Sequence, residues 1–141
     1  ELIDSLDQAY NGNSYFNTFG GNPVSAAAAL AVLDILEEDN LIDNAREVGH
    51  YLKKQLEITA KENDSVIEIR GKGLFLGIEL DDASKTAKAM EDMMHQGVLV
   101  GKTGPKNSVI KLRPPMTFKK EHADLLVDKI NQCLRFYHKE S

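Results

Sequence analysis

Two stretches of the 141-residue chain carry residues whose types and spacing suit chemistry. The first is Asn17-Thr18-Phe19-Gly20-Gly21-Asn22-Pro23. Asn22 is a good N-cap, because its side-chain oxygen can accept an orphan N–H of a first helical turn, and Pro23 suits the first helical position, where its missing N–H is not needed. Gly20-Gly21 permits turns closed to other residues. Thr18 is therefore expected in a tight loop ahead of a helix, where a hydroxyl and backbone N–H groups can meet an anion. An ordinary capped helix after a turn accounts for the same residues without a ligand. The second stretch is Val109-Ile110-Lys111-Leu112-Arg113-Pro114-Pro115-Met116. It reads as a strand stopped by two prolines, neither of which can donate to a sheet ladder. Side chains two apart share a strand face, so Lys111 and Arg113 are expected to point the same way, with Ile110 and Leu112 opposite. Such a pair of cations suits an anionic substrate group, and equally suits the solvated end of an edge strand.

The elements that position these residues follow from periodicity. Leu2, Ile3, Leu6 and Ala9 suggest a short helix over Glu1–Ala9, and Asn11-Gly12-Asn13 marks Tyr10–Tyr15 as loop. The run from Pro23 to about Glu38 is apolar all round its axis, which predicts a helix buried on most sides, against other structure such as another subunit. A second helix begins near Ile42, with Leu41, Ala45, Val48, Leu52 and Leu56 on one stripe and Arg46, Glu47, Lys53, Lys54 and Glu57 mostly off it, as a solvated face. It should end by Glu62-Asn63-Asp64-Ser65. Val66–Ile69 and Leu74–Leu80 read as strands around Arg70-Gly71-Lys72-Gly73. These glycines lead into a strand and not a helix, which excludes a dinucleotide loop and favours a bend or bulge. Ser84–Gln96 reads as a helix with Ala87, Met90, Met93 and Met94 toward the core, stopped by Gly97. A short strand Val98–Val100, a loop Gly101–Ser108 and the strand Val109–Arg113 follow. A closing helix from about Lys120 to Tyr137 buries Ala123, Leu126, Val127, Ile130, Cys133, Leu134 and Tyr137. From residue 40 onward the order is helix, two strands, helix, two strands, helix, which predicts a two-layer α/β sandwich: a small, mostly antiparallel sheet with helices on one face.

Composition narrows the function classes. Hydrophobic residues make up 42% and charged residues 28%, as in a soluble globular domain. The net charge of −5, with both signs interspersed, argues against nucleic acid as the main partner. No apolar run is long enough to span a bilayer. Cys133 is the sole cysteine, so no intrachain disulfide forms, and a reduced, cytoplasmic setting fits. His50, His95, His122 and His138 are scattered without ligand spacing, and no metal is expected. The first residue is Glu1 and the chain begins in mid-pattern, so a piece of something longer is expected.

Phe16-Asn17-Thr18-Phe19-Gly20-Gly21-Asn22-Pro23 closely resembles the T-[FY]-G-G-N-P signature of class III aminotransferases, pyridoxal-phosphate (PLP) enzymes of fold type I. The resemblance implies that Thr18, with the backbone of Asn17, binds the cofactor phosphate across a homodimer interface. Arg70-Gly71-Lys72-Gly73-Leu74 resembles the family's RG-x-G-L segment. Lys111 to Met116 resembles R-x-x-P-P-[LM], whose arginine grips the substrate α-carboxylate. Here Lys111 stands in the arginine position, a point charge in place of a planar fork. Three readings follow. Lys111 holds a carboxylate more loosely, or Arg113, about 6–7 Å further along the strand, takes over, or the substrate presents a phosphate. A lysine followed by Pro-Pro-Met resembles the phospho-lyase branch of the family. The resemblance further implies that residues 1–39 end the large PLP-binding domain and residues 40–141 form the C-terminal small domain. It places the catalytic lysine and the acid that holds the pyridinium nitrogen upstream, so the fragment alone is expected to be inactive. The competing class is a non-catalytic α/β association module, for which no lysine-bearing domain would precede Glu1.

Overall fold

The computed structural model describes residues 2–9 and 17–135, in two compact units that divide between Ile35 and Leu36. The expected loop over Tyr10–Tyr15, Phe16 of the first motif, Tyr137 of the last stripe and His138 lie outside the described residues. In the first unit, α1 spans Leu2–Ala9 and α2 begins at Pro23, running to Glu38. Asn22 caps α2 as its side chain predicts: its Oδ1 accepts the Ser25 N–H at 2.9 Å, while its Nδ2 donates to the Phe19 carbonyl at 2.9 Å.

The burial expected for α2 is not met within the described residues. None of its residues is buried, and Val24, Leu30, Val32, Leu33 and Ile35 are all about half exposed or more. The physical reason lies in the pattern itself. A helix that is apolar on every side needs cover on every side, and the described residues do not supply it.

Asn40 ends this helix and starts the next, in the left-handed region at φ 50°, ψ 40°, which asparagine tolerates better than most residues. The second unit then runs α3 (Leu41–Lys61), β1 (Val66–Lys72), β2 (Phe75–Leu80), α4 (Ala83–His95), β3 (Gly101–Thr103), β4 (Val109–Leu112) and α5 (Lys120–Leu134). The four strands form one antiparallel sheet in the order β1-β2-β4-β3. Leu76, Ile78, Leu80, Ile110 and Leu112 supply its inner face. They pack with Val48, Leu52 and Leu56 of α3, Ala89 and Met93 of α4, and Ala123, Leu126, Val127, Ile130, Cys133 and Leu134 of α5. Each leucine or isoleucine so buried contributes about 1.5–3 kcal/mol relative to exposure. The result is the expected two-layer sandwich.

Four local expectations change. The strand near residue 100 is Gly101–Thr103 and not Val98–Val100, so part of the supposed loop is strand. The pairing available is set by β4, whose Lys111 and Val109 meet Gly101 and Thr103, while Val98 and Val100 pack on the core and Leu99 is exposed. On α4 the buried residues are Thr86, Ala89 and Met93, whereas Ala87 and Met94 are exposed. Thr86 can be buried because its hydroxyl donates to the Asp82 carbonyl at 3.2 Å. Strand β4 stops at Leu112, leaving Arg113 beyond its end. Finally, β4 is an inner strand with partners on both sides, which removes the reading of Lys111 as the end of an edge strand.

Candidate functional site

The Thr18 turn is built by its neighbours. The Phe19 N–H donates to Asn17 Oδ1 at 3.1 Å and the Gly20 N–H to the Asn17 carbonyl at 3.2 Å. Gly21 sits at φ 74°, a conformation that favours glycine. Asn17 thus closes the turn, and Thr18 lies exposed on it, immediately ahead of the capped N-terminus of α2. The turn's own N–H groups at Phe19 and Gly20 are taken by Asn17, which leaves the exposed Thr18 residue ahead of the positive end of a helix, a kind of place that can meet an anion.

The sheet carries the second stretch. Register places Arg70 opposite Gly77, Gly77 opposite Lys111, and Lys111 opposite Gly101, so one row crosses all four strands on the face away from the core. Gly77 contributes no side chain, and a cleft of about 240 Å³ opens there, lined by Arg70, Phe75, Gly77, Thr103, Val109 and Lys111 among others. Arg70 is committed to two carboxylates: Glu68 at 2.8 Å and Glu79, also in direct contact. These two acceptors hold its guanidinium above its ordinary value, Glu79 first and Glu68 second. Lys111 is half-buried, and among the described residues no carboxylate pairs with it.

Arg113 goes elsewhere. It lines a separate, largely apolar cavity of about 510 Å³ with Val98, Leu112, Pro114, Phe118 and His122. The structure therefore separates the two cations that strand alternation put together, because the strand ends between them. The loop after β4 is fixed from α3, where the Asn44 amide donates to the Met116 carbonyl at 2.6 Å and to the Phe118 carbonyl at 3.0 Å.

Sequence reasoning reached Thr18, Asn17, Lys111 and Arg113 but missed Arg70, Gly77, Thr103 and Gly101 as neighbours of Lys111. Only strand register joins those four to it, and no local pattern gives that register. Cys133 is buried at the end of α5, and burial first of all pushes its thiol up, as suits a packing residue. Among the described residues no group of histidine, cysteine and carboxylates is placed to hold a metal, and no helix is long and apolar enough to cross a membrane.

The described fold is a small antiparallel sandwich that follows a capped glycine turn in the sequence and bears a lysine on its open sheet face. A profile for "Aminotransferase class-III" matches residues 4–134, and the chain belongs to that family. It is 42% identical over 129 residues to alanine–glyoxylate aminotransferase 2 homolog 2, mitochondrial, of Arabidopsis thaliana, covering 86% of this chain and 27% of that protein. Ornithine aminotransferase of Bacillus subtilis is 36% identical over 126 residues, covering 89% of this chain and 30% of that protein. The chain thus spans less than a third of these relatives' length. Among solved structures it is similar to a phospholyase from Arthrobacter in complex with phosphoethanolamine, with a TM-score of 0.87 and 40% identity, over 94% of this chain and 33% of that one. A Bacillus anthracis aminotransferase superposes with a TM-score of 0.83 at 30% identity, over 94% and 34%.

Proposed function

We propose that this chain is the C-terminal part of a PLP-dependent class III aminotransferase that moves an amino group from an amino acid or amine to a keto acid. In this reading residues 1–39 close the large domain, residues 40–141 are the small domain, and the catalytic lysine belongs to a segment before Glu1. PLP, when bound, supplies the electron sink for the chemistry at the amine-bearing carbon. Thr18 donates its hydroxyl to the cofactor phosphate of a second subunit, and the Asn17 backbone closes the turn that presents it. Lys111 orients the substrate by its anionic group. Arg113, on the neighbouring cavity, is the lesser candidate for that task.

The observation that carries the reading is the exposed Thr18 hydroxyl on a turn closed by Asn17 and capped by Asn22. The apolar surface of α2, with Val24, Leu30 and Leu33 exposed, calls for cover from the rest of the complete enzyme, and a second subunit that also receives Thr18 fits that demand. The fragment alone lacks the cofactor lysine and does not transaminate. A cytoplasmic setting rests on the lone buried cysteine. The complete enzyme tests the proposal: it should purify yellow or turn so when pyridoxal phosphate is added. A preparation that stays colourless refutes it.

A second reading has its own support. Lys111 occupies the position where the family's arginine grips a carboxylate, and a point charge serves a phosphate as well. The complete enzyme would then eliminate phosphate from a phosphorylated amine. Inorganic phosphate and ammonia among the products mean lyase, and an aminated acceptor means transfer.

A further inference from the structure

We propose that Gly101, on edge strand β3, is a positioning residue that fixes where the Lys111 ammonium stands. The inference rests on the reading of Lys111 as the substrate-orienting cation and extends it to a strand with no assigned role.

Lys111 crosses to β3 instead of rising from its own strand. A methyl built at Gly101 would stand 3.0 Å from Lys111 Cε, 3.6 Å from its Nζ and 4.0 Å from its Cβ. All three nearest atoms belong to Lys111, so the lysine stem fills the space that a side chain at residue 101 would take. Backbone freedom does not explain this glycine, because Gly101 is not among those with positive φ. Gly77 on the other flank has a different neighbour, since a methyl there would meet Val109 Cγ1 at 3.0 Å. Each glycine in the row thus clears room for one β4 side chain, and only Gly101 clears it for the cation. Arg70 is engaged by both Glu68 and Glu79, so Lys111 is the cation lining this cleft that no carboxylate among the described residues engages. Its place therefore decides where the anion sits. A side chain at residue 101 would lift the flexible stem toward the cleft opening and shift the ammonium.

The test uses the complete, PLP-loaded enzyme with the variants Gly101→Ala, Lys111→Ala and the double variant. The readouts are substrate KM and kcat, the cofactor absorbance band, thermal unfolding, and calorimetric binding of inorganic phosphate and of acetate. Gly101→Ala should raise KM by roughly two- to fivefold, since the methyl displaces the lysine stem by a few tenths of an ångström, well short of the 1 Å misplacement that costs about a hundredfold. It should weaken binding of whichever probe anion the native enzyme takes and leave the cofactor band unchanged. In the Lys111→Ala background the same substitution should change neither KM nor anion binding, because there is no stem left to displace. Unchanged KM in Gly101→Ala alone, or the same loss in both backgrounds, overturns the positioning role while leaving Lys111 in place. An unaltered KM in Lys111→Ala overturns the functional reading and this inference together. Should Gly101→Ala fail to fold, recovery of the fold in the double variant supports the contact, and continued misfolding refutes it.

Discussion

Gly49 of α3 lies directly against the backbone of Gly73 in the turn between β1 and β2. A methyl at Gly49 would stand 2.2 Å from both the carbonyl carbon and the oxygen of Gly73. Gly73 itself takes φ 54°, so the hairpin needs one glycine for its turn and the helix needs another to approach it. This contact seats α3 against the end of the hairpin whose strands carry Arg70 and Gly77.

Gly49→Ala should therefore destabilise the complete enzyme by about 1–3 kcal/mol or more, the usual range for overpacking a tight contact. Backbone atoms, unlike a side-chain tip, cannot swing aside. Denaturant midpoints of the variant and the parent measure the effect, and a midpoint that does not fall would refute the contact.

Thr18→Ala removes a hydroxyl proposed to donate to a charged acceptor, a bond worth roughly 1.5–3 kcal/mol. Affinity for PLP should drop by about one to two orders of magnitude. Titration of the cofactor-free enzyme, followed by the visible band, checks this. The turn itself should persist, because Asn17 and Asn22 hold it and Thr18 does not.

Lys111→Ala should raise substrate KM while leaving PLP affinity unchanged. No carboxylate among the described residues depends on this lysine, so little stability is at stake. Steady-state kinetics beside a cofactor titration separates the two effects. A fall in cofactor affinity would mean that the residue serves the wrong ligand in our account.

Asp82 offers a pH test of the fold. It caps α4, accepting the Ser84 N–H at 2.5 Å, and its bonds to Ser84 hold the carboxyl below the ordinary aspartate range. A depressed folded value adds stability above the unfolded value, and that stability is lost as pH falls through the folded one. Asp82→Asn keeps an acceptor but does not titrate. The variant should be less stable than the parent near neutrality, and the gap should close in acid. Urea unfolding at both ends of the range measures it.

Where local chemistry decides, the residues announced the structure. Asn22-Pro23 names a helix start, Gly97 a helix end, and the stripe from Ala123 to Leu134 the buried face of α5. Where pairing partners decide, they did not. Val98–Val100 has stronger β-propensity than Gly101–Thr103, yet the latter forms the strand, because β4 offers its hydrogen bonds in that register. The same cause hid Arg70, Thr103 and Gly101 from the reading of the Lys111 site. They stand 41, 8 and 10 residues from it in sequence and reach it only across the sheet. The α2 pattern was legible as a demand for cover, but no residue within it says what supplies that cover.

Strand β4 comes last of the four along the chain and sits between β2 and β3. It works like the tongue of a zip: until it is inserted, β2 and β3 have no bonds to each other and the row from Arg70 to Gly101 does not exist. The lysine rides on that closing piece. Pairing β4 with both neighbours thus completes the sheet and brings Lys111 into the row between Gly77 and Gly101 together.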